Sequence, residues 1–341
     1  MNSLRSAVSA GILWPDHSVS SALCEHRWMR AVSVTTRDLP DARKRSIAEG
    51  ALLLTVVAWG LGGIFIKLSS FAGITFAFYR LALSFFVMLI ALLLSGRRLT
   101  WSVIRRSAPG GLFLGLDVCL FFSAVKLTSI ADATIIGALQ PVLVMLVAGR
   151  WFGERFGRAE VLLAGASVIG VAIVAVGSTG SPVFSVQGDL LAVAALFSWT
   201  GYWLVTKKVR GTMPALEYMT GVMLTASLVA APILLVSGKP LTTNDPTDWL
   251  WLILFVVFAG AGGQFVAAWA QRYVEVWLSS LLLQGMPVVA SLAAWVILGE
   301  PLTPMIVAGG AVVVAATGAI IVRSRGRRPL DVEDRAGASP I

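Results

Sequence analysis

Histidine is almost absent from this 341-residue chain: His17 and His26 are the only two, and both lie in a polar N-terminal stretch. Cysteine is as rare, with Cys24 in that stretch and Cys119 inside an apolar run. The spacing leaves no basis for a disulfide framework or a His/Cys metal centre, and no cofactor is expected. Charge is also scarce. Asp, Glu, Lys and Arg make up 13% of the chain and hydrophobic residues 57%, whereas a soluble domain carries about 25% and 45–50%. A soluble globular fold is therefore excluded, and a polytopic membrane protein is implied. No glycine-rich Walker loop ending in Lys-Ser/Thr occurs, so ATP-driven work would need a separate subunit. The apolar runs hold no histidine, one cysteine and no clustered acids. That argues against a membrane enzyme acting on lipid-linked substrates, because no nucleophile–base pair can be built.

What is present is apolar sequence in blocks long enough to span. A span needs about 20 apolar residues, and ten blocks qualify, near 50–69, 72–95, 109–127, 130–150, 159–178, 188–207, 215–237, 248–270, 277–298 and 303–323. The expected fold is an all-α polytopic membrane protein with ten transmembrane helices. Residues 1–48 form an expected polar, disordered cytoplasmic tail without a signal-peptide core, within which Met29 is an alternative start. Residues 324–341 form a basic cytoplasmic tail.

The net charge of +9 does not imply nucleic acid, because the basic residues sit in gaps between spans. With the N-terminus placed inside, the inner gaps collect Arg43, Lys44, Arg45, Arg97, Arg98, Arg105, Arg106, Arg150, Arg155, Arg158, Lys207, Lys208, Arg210, Arg272, Arg323, Arg325, Arg327 and Arg328. Only Lys67, Lys126 and Lys239 fall outside. The positive-inside rule then sets both termini in the cytoplasm and requires an even number of spans.

The chain also repeats itself. At an offset of 140, Trp59 falls on Trp199 and Lys67 on Lys207; at 146, Lys126 falls on Arg272, Pro141 on Pro287, and Gly153-Glu154 on Gly299-Glu300. The repeats are 49–180 and 181–323, with five spans each. An odd number of spans forces the second copy in upside down, the architecture of secondary transporters that work by alternating access.

The segments A-V-K-L-T-S-I-A-D-A-T-I-I-G-A-L-Q-P-V and F-G-E-R-F of the first half, L-L-L-Q-G-M-P-V-V and L-G-E-P-L of the second, and Tyr79-Arg80 opening the second span carry a resemblance. They are similar to the EamA-type family of the drug/metabolite transporter superfamily, over about residues 50–323. The resemblance implies an inner-membrane carrier of five plus five inverted helices, with a central cavity lined by the first, third, fourth, sixth, eighth and ninth. It further implies transport of metabolites such as amino acids, or of foreign small molecules, usually outward. Asp117 does not belong to the family pattern.

Asp117 is the only acid well inside an apolar run, and an intramembrane carboxylate is a functional hypothesis by default. It stands about 8 Å in depth from Arg80, near enough for a coupling or structural ion pair. Its functional reading is uptake of a proton or a substrate ammonium; the alternative is a structural pair with Arg80. Arg80 matches the family's arginine in its helix and has a structural reading as an anchor to neighbouring carbonyls.

Trp59 and Trp199 lie midway along their spans, with Tyr202 one turn beyond, where aromatic walls suit an amphipathic or cationic organic substrate. Tyr79, Gln140 and Gln264 join the expected substrate-binding set, as do Ser280 and Gln284, which share a helix face with Pro287 and Ser291. Pro141 and Pro287 are expected paired hinges. Glu154 and Glu300, each after a glycine at a helix end, are read as capping or inter-repeat contacts outside the transport path. Gly111 with Gly115, and Gly260, Gly262 and Gly263, read as helix-packing sites. The expected partners are a small-molecule substrate and membrane lipids, with a homodimer as a further option. The leading function is a secondary transporter working as an exporter, against which stand the membrane enzyme and a non-transporting membrane partner.

Overall fold

The computed structural model describes residues 41–128, 130–179 and 185–325. The N-terminal stretch with Met29, and the basic tail from 326, lie outside the described residues. Every regular element among those described is helical. In chain order they are α1 (Asp41–Leu68), α2 (Gly73–Leu94), α3 (Trp101–Leu127), α4 in two pieces (Ile130–Gly137 and Gln140–Phe152), α5 (Arg158–Thr179), α6 (Val186–Arg210) and α7 (Ala215–Ser237). There follow α8 (Thr247–Phe255, a π-helical run Val256–Gly263, then Gln264–Ala270), α9 (Val276–Leu282, a 3-10 turn Leu283–Gly285, then Met286–Leu298) and α10 (Pro304–Arg325).

Among the described residues, nine helices are long and apolar enough to cross a membrane. The 27-residue α3 also carries Arg105, Arg106 and Asp117 and packs along α6 and α7. Side chains such as Leu54, Leu162 and Val236 stay 70%, 73% and 89% exposed. Such exposure would be costly in water but not in hydrocarbon, where helices are favoured because they satisfy their backbone internally.

α1 begins at Asp41, ahead of the boundary expected near 50. Its polar first turns are held by side chains rather than by lipid: Arg45 Nε donates to Glu49 Oε1 at 3.2 Å, four residues on, and Arg45 Nη2 reaches Glu275 Oε2 at 2.8 Å.

Small residues set the closest helix contacts. A Cβ on Gly115 would stand 2.9 Å from Ala226 O and 2.8 Å from Val229 Cβ, so α3 and α7 approach as backbones. Gly170 of α5 and Gly309 of α10 do the same, each facing the other's carbonyl oxygen at 2.9 and 2.6 Å from the missing Cβ.

α4 and α9 share one local design. Each is interrupted three or four residues before its proline, since Pro141 and Pro287 lack the N–H that would continue the ladder and each sits in the first turn of the resumed helix. Each then ends on a left-handed glycine, Gly153 at φ 62° and Gly299 at φ 69°, a conformation open to glycine at little cost. The following amides close the same contact: Glu154 N donates to Ala148 O at 3.4 Å and Glu300 N to Ala294 O at 3.3 Å. Residue for residue, these features sit 146 positions apart.

Candidate functional site

α1, α2, α3, α4, α6, α8 and α9 converge on a cavity of about 580 Å³, with α5 and α7 adding apolar wall. That volume lies within the usual range of about 300–1,000 Å³ for small-molecule sites. Tracing the chain, α1 contributes Trp59 and Lys67, α2 Arg80 and Ser84, α3 Asp117, α4 Gln140, α6 Trp199, α8 Phe255 and Gln264, α9 Gln284, Pro287 and Ser291, and the turn after α9 Glu300.

One wall is aromatic. The rings of Trp59 and Trp199 meet edge to face at 5.7 Å, Trp203 stacks on Trp199 at 5.6 Å, and Tyr202 lies 5.4 Å from Trp199. Trp59 is fixed by a distant part of the chain, because its Nε1 donates to Ala259 O at 2.8 Å in the π-helical run of α8. A π-helix shifts carbonyls away from the i−4 partner and leaves them open to such donors. The glycines expected as packing residues explain the fit: Gly263 and Gly260 leave room for Trp59 Nε1 and Ser84 Oγ, which a Cβ would meet at 2.6 and 2.8 Å.

Polar groups also line the cavity. Asp117 and Arg80 both face the cavity and their charges interact. They form no direct ion pair among the described residues; the Arg80 guanidinium lies over Phe255 instead, 5.4 Å from Cζ to ring centroid. Arg80 Nε, Ser84 Oγ and Gln140 Nε2 are buried without a protein partner. Buried polar groups are normally paired, so three unpaired groups lining one cavity mark a place for ligand or water. Gln284 is committed elsewhere: its Nε2 donates to Ala138 O at 2.9 Å, so the 3-10 turn of α9 satisfies a carbonyl at the break in α4.

Three residues of the expected substrate-binding set do not line the cavity. Tyr79 turns into an outer cluster with Phe71, Phe78 and Trp249. Tyr202 is fully buried behind the wall, where its hydroxyl donates to Gln264 Oε1 at 2.8 Å. Ser280 is likewise buried, bonded to Trp277 O at 2.8 Å. The 3-10 turn at Leu283–Gly285 changes the helical phase, so the face shared by Gln284, Pro287 and Ser291 does not continue back to Ser280. Ser84, which lines the cavity, was missed in the sequence, although it lies four residues after Arg80 on the same helix face.

Glu300 and Glu154 sit at opposite ends of the bundle. Lys67 Nζ meets Glu300 Oε1 at 2.6 Å on the cavity rim, so Glu300 borders the cavity that the sequence had placed it outside. At the far end Lys207 Nζ lies 4.0 Å from Glu154 Oε1, while the same carboxylate accepts from Val276 N at 2.8 Å and Trp277 N at 3.3 Å. Lys207 Nζ also donates to Gln271 O at 2.9 Å and to Val274 O. Burial pushes the Glu154 carboxyl above the usual carboxylate range, against the opposing pull of Lys207 and the two amides.

A bundle of apolar helices around a half-enclosed cavity, with a few convergent polar groups, defines a membrane transport protein. The chain belongs to the EamA-like transporter family, whose model matches residues 46–176 and again 186–322. A Salmonella typhimurium protein described as "Probable amino-acid metabolite efflux pump" is 29% identical over 288 residues, covering 77% of this chain and 91% of the relative. An "Uncharacterized transporter" of Archaeoglobus fulgidus is 26% identical over 282 residues, covering 80% of this chain and 98% of its own. A solved crystal structure superposes with a TM-score of 0.72 at 20% identity, over 82% of this chain and 98% of its own. The chain is thus an integral membrane protein of transporter type.

Proposed function

We propose that this protein is a secondary carrier that exports small organic metabolites across a bacterial inner membrane by alternating access. In this reading α1–α10 are ten spans in two inverted repeats of five, with both termini cytoplasmic as the Lys/Arg asymmetry requires. The observation that carries it is the cavity itself. It lies where both repeats meet, is bordered by a Lys–Glu pair at one end, and is separated from a second, repeat-related pair at the other. The matching interruptions of α4 and α9 support inversion, because one break in each repeat at the same register is what a pseudo-two-fold axis would produce.

Within the cavity, Asp117 takes a substrate ammonium or a proton, and Trp59 and Trp199 pack against the apolar part of the substrate. Arg80 sets the field around Asp117 and offers its free Nε to an acceptor. Export of amino-acid-like metabolites follows from the description of the Salmonella relative and from a site that offers both an acid and a donor-rich wall. Substrate and membrane lipids are the partners required; a homodimer is compatible but not needed.

Reconstituted vesicles test the reading. Purified protein should exchange labelled for unlabelled L-phenylalanine, or another member of an amino-acid panel, in counterflow without ATP. Formation of a chemically altered product would support the membrane enzyme instead. Absence of both exchange and product across the panel would support the non-transporting partner.

A further inference from the structure

Lys67 and Glu300 come from different repeats, and so do Lys207 and Glu154. Lys67 maps to Lys207 and Glu154 to Glu300, so each lysine pairs with the acid that is the counterpart of the other's partner. The two pairs are one contact made twice, at opposite ends, yet the copies differ. Lys67 and Glu300 are 54% and 41% exposed on the cavity rim; Lys207 and Glu154 are 18% and 7% exposed. Among the described residues only the buried copy is anchored to backbone, through the amides of Val276 and Trp277 and the carbonyls of Gln271 and Val274. An exposed pair of two long side chains contributes little, whereas a buried carboxylate on backbone amides holds an end shut.

We infer that the two pairs form an exchangeable latch in which only one end is anchored at a time. Carried back by the repeat offset of 146, Val276 and Trp277 correspond to Ile130 and Ala131, and Gln271 and Val274 to Val125 and Thr128. When the cavity opens at the Lys207 end, the Glu300 carboxylate takes the backbone amides of Ile130 and Ala131 at the start of α4. Lys67 then takes the carbonyls of Val125 and Thr128, while Glu154 and Lys207 come out onto the opposite rim. No proton or other chemistry is needed; the energy of each seal is recovered in its counterpart. The inference rests on the alternating-access reading above and adds the residues that set the balance between its two states.

The test places a reporter in the cavity, Ser291→Cys, in a chain carrying Cys24→Ser and Cys119→Ser, and measures its labelling by an impermeant maleimide from each side of reconstituted vesicles. Glu154→Gln should raise labelling from the Lys207 end about fivefold, and Glu300→Gln should lower it by a similar factor, because each removes the seal of a different state. Lys67→Gln, on an exposed residue, should follow Glu300→Gln and covers the case in which Glu154→Gln does not fold. Both acid variants moving the labelling in one direction, or Glu300→Gln and Lys67→Gln leaving it unchanged, would overturn the latch. Counterflow by the unmodified protein separates the two levels. Exchange with no opposed shift removes the latch alone, whereas opposed shifts with no exchange of any probe remove the carrier reading and leave the latch.

Discussion

Tyr202 and Gln264 share a hydrogen bond in which the Tyr202 hydroxyl donates to Oε1 at 2.8 Å, and only Gln264 of the two reaches the cavity. Tyr202 therefore fixes which end of the amide is held and leaves the Gln264 amino group as the free end. Tyr202→Phe should leave a buried acceptor unpaired, a cost of about 1–3 kcal/mol. The expected result is a lower melting temperature together with a raised counterflow KM and little change in maximal rate. An unchanged KM would mean that the orientation of Gln264 does not matter to binding.

Close helix approach gives a second prediction with its own control. Gly115→Val puts branched bulk where the α7 backbone already stands within 3 Å of a Cβ, so about 1–3 kcal/mol of stability should be lost. Gly165, inside α5, has nothing within 4 Å of the same position. Gly165→Ala should be neutral or stabilising by up to about 1 kcal/mol, since alanine is the better helix former. Melting temperatures in detergent compare them; equal losses would refute the α3–α7 contact.

Much of this architecture was legible in the sequence because the informative residues obey local rules. A proline removes a donor wherever it stands, and a glycine after an apolar run can end a helix, so Pro141/Pro287 and Gly153/Gly299 announced two helices interrupted and capped alike. Trp59, Trp199, Asp117 and Gln140, which line the cavity, stood out in the sequence because an apolar span leaves few polar or large aromatic side chains to choose from. What escaped depends on helical phase. Nothing in V-V-F-A-G-A-G-G signals a π-helical run, yet that run supplies the carbonyl that holds Trp59. The 3-10 turn after Leu282 takes Ser280 out of the face it was expected to share with Gln284. Tyr79 and Tyr202 were near the site along the chain, but which way a ring turns is settled by neighbours from other helices.

Asp117 provides the third prediction. It is an acid within the cavity, away from the Lys67–Glu300 rim, and Arg80, whose charge acts on it, is turned onto Phe255 rather than locked to the carboxylate. A carboxylate kept for a structural pair would be expected in direct contact with its partner. Asp117→Asn, nearly isosteric, should therefore keep the melting temperature within about 1 kcal/mol of the parent's stability while reducing counterflow about tenfold or more. It should also flatten any pH dependence of the rate. Undiminished transport with an unaltered pH profile would reassign Asp117 to a structural role.

The sealed end should respond to pH through Glu154. Burial raises its carboxyl above the ordinary range, and the charged groups facing it are Lys207, Glu275 and, through Lys207, Arg45. For an acid with a raised native pKa the neutral form is the one the fold tolerates better. Its contribution to stability is thus fully present below the ordinary carboxylate pKa and lost as pH rises through the raised value. Opening follows the same sign: the raised value already includes the pull of Lys207 and of the Val276 and Trp277 amides, and a Glu154 exposed on the open rim loses the burial that raises it, so acidification favours the sealed state. Between pH 7.5 and pH 5, labelling of Ser291→Cys from the Lys207 end should therefore fall in the parent chain while thermal stability is unchanged or slightly higher. In Glu154→Gln the labelling should be flat across the range. A parent profile that stays flat, or a Gln variant that retains the full slope, would assign the response to another group.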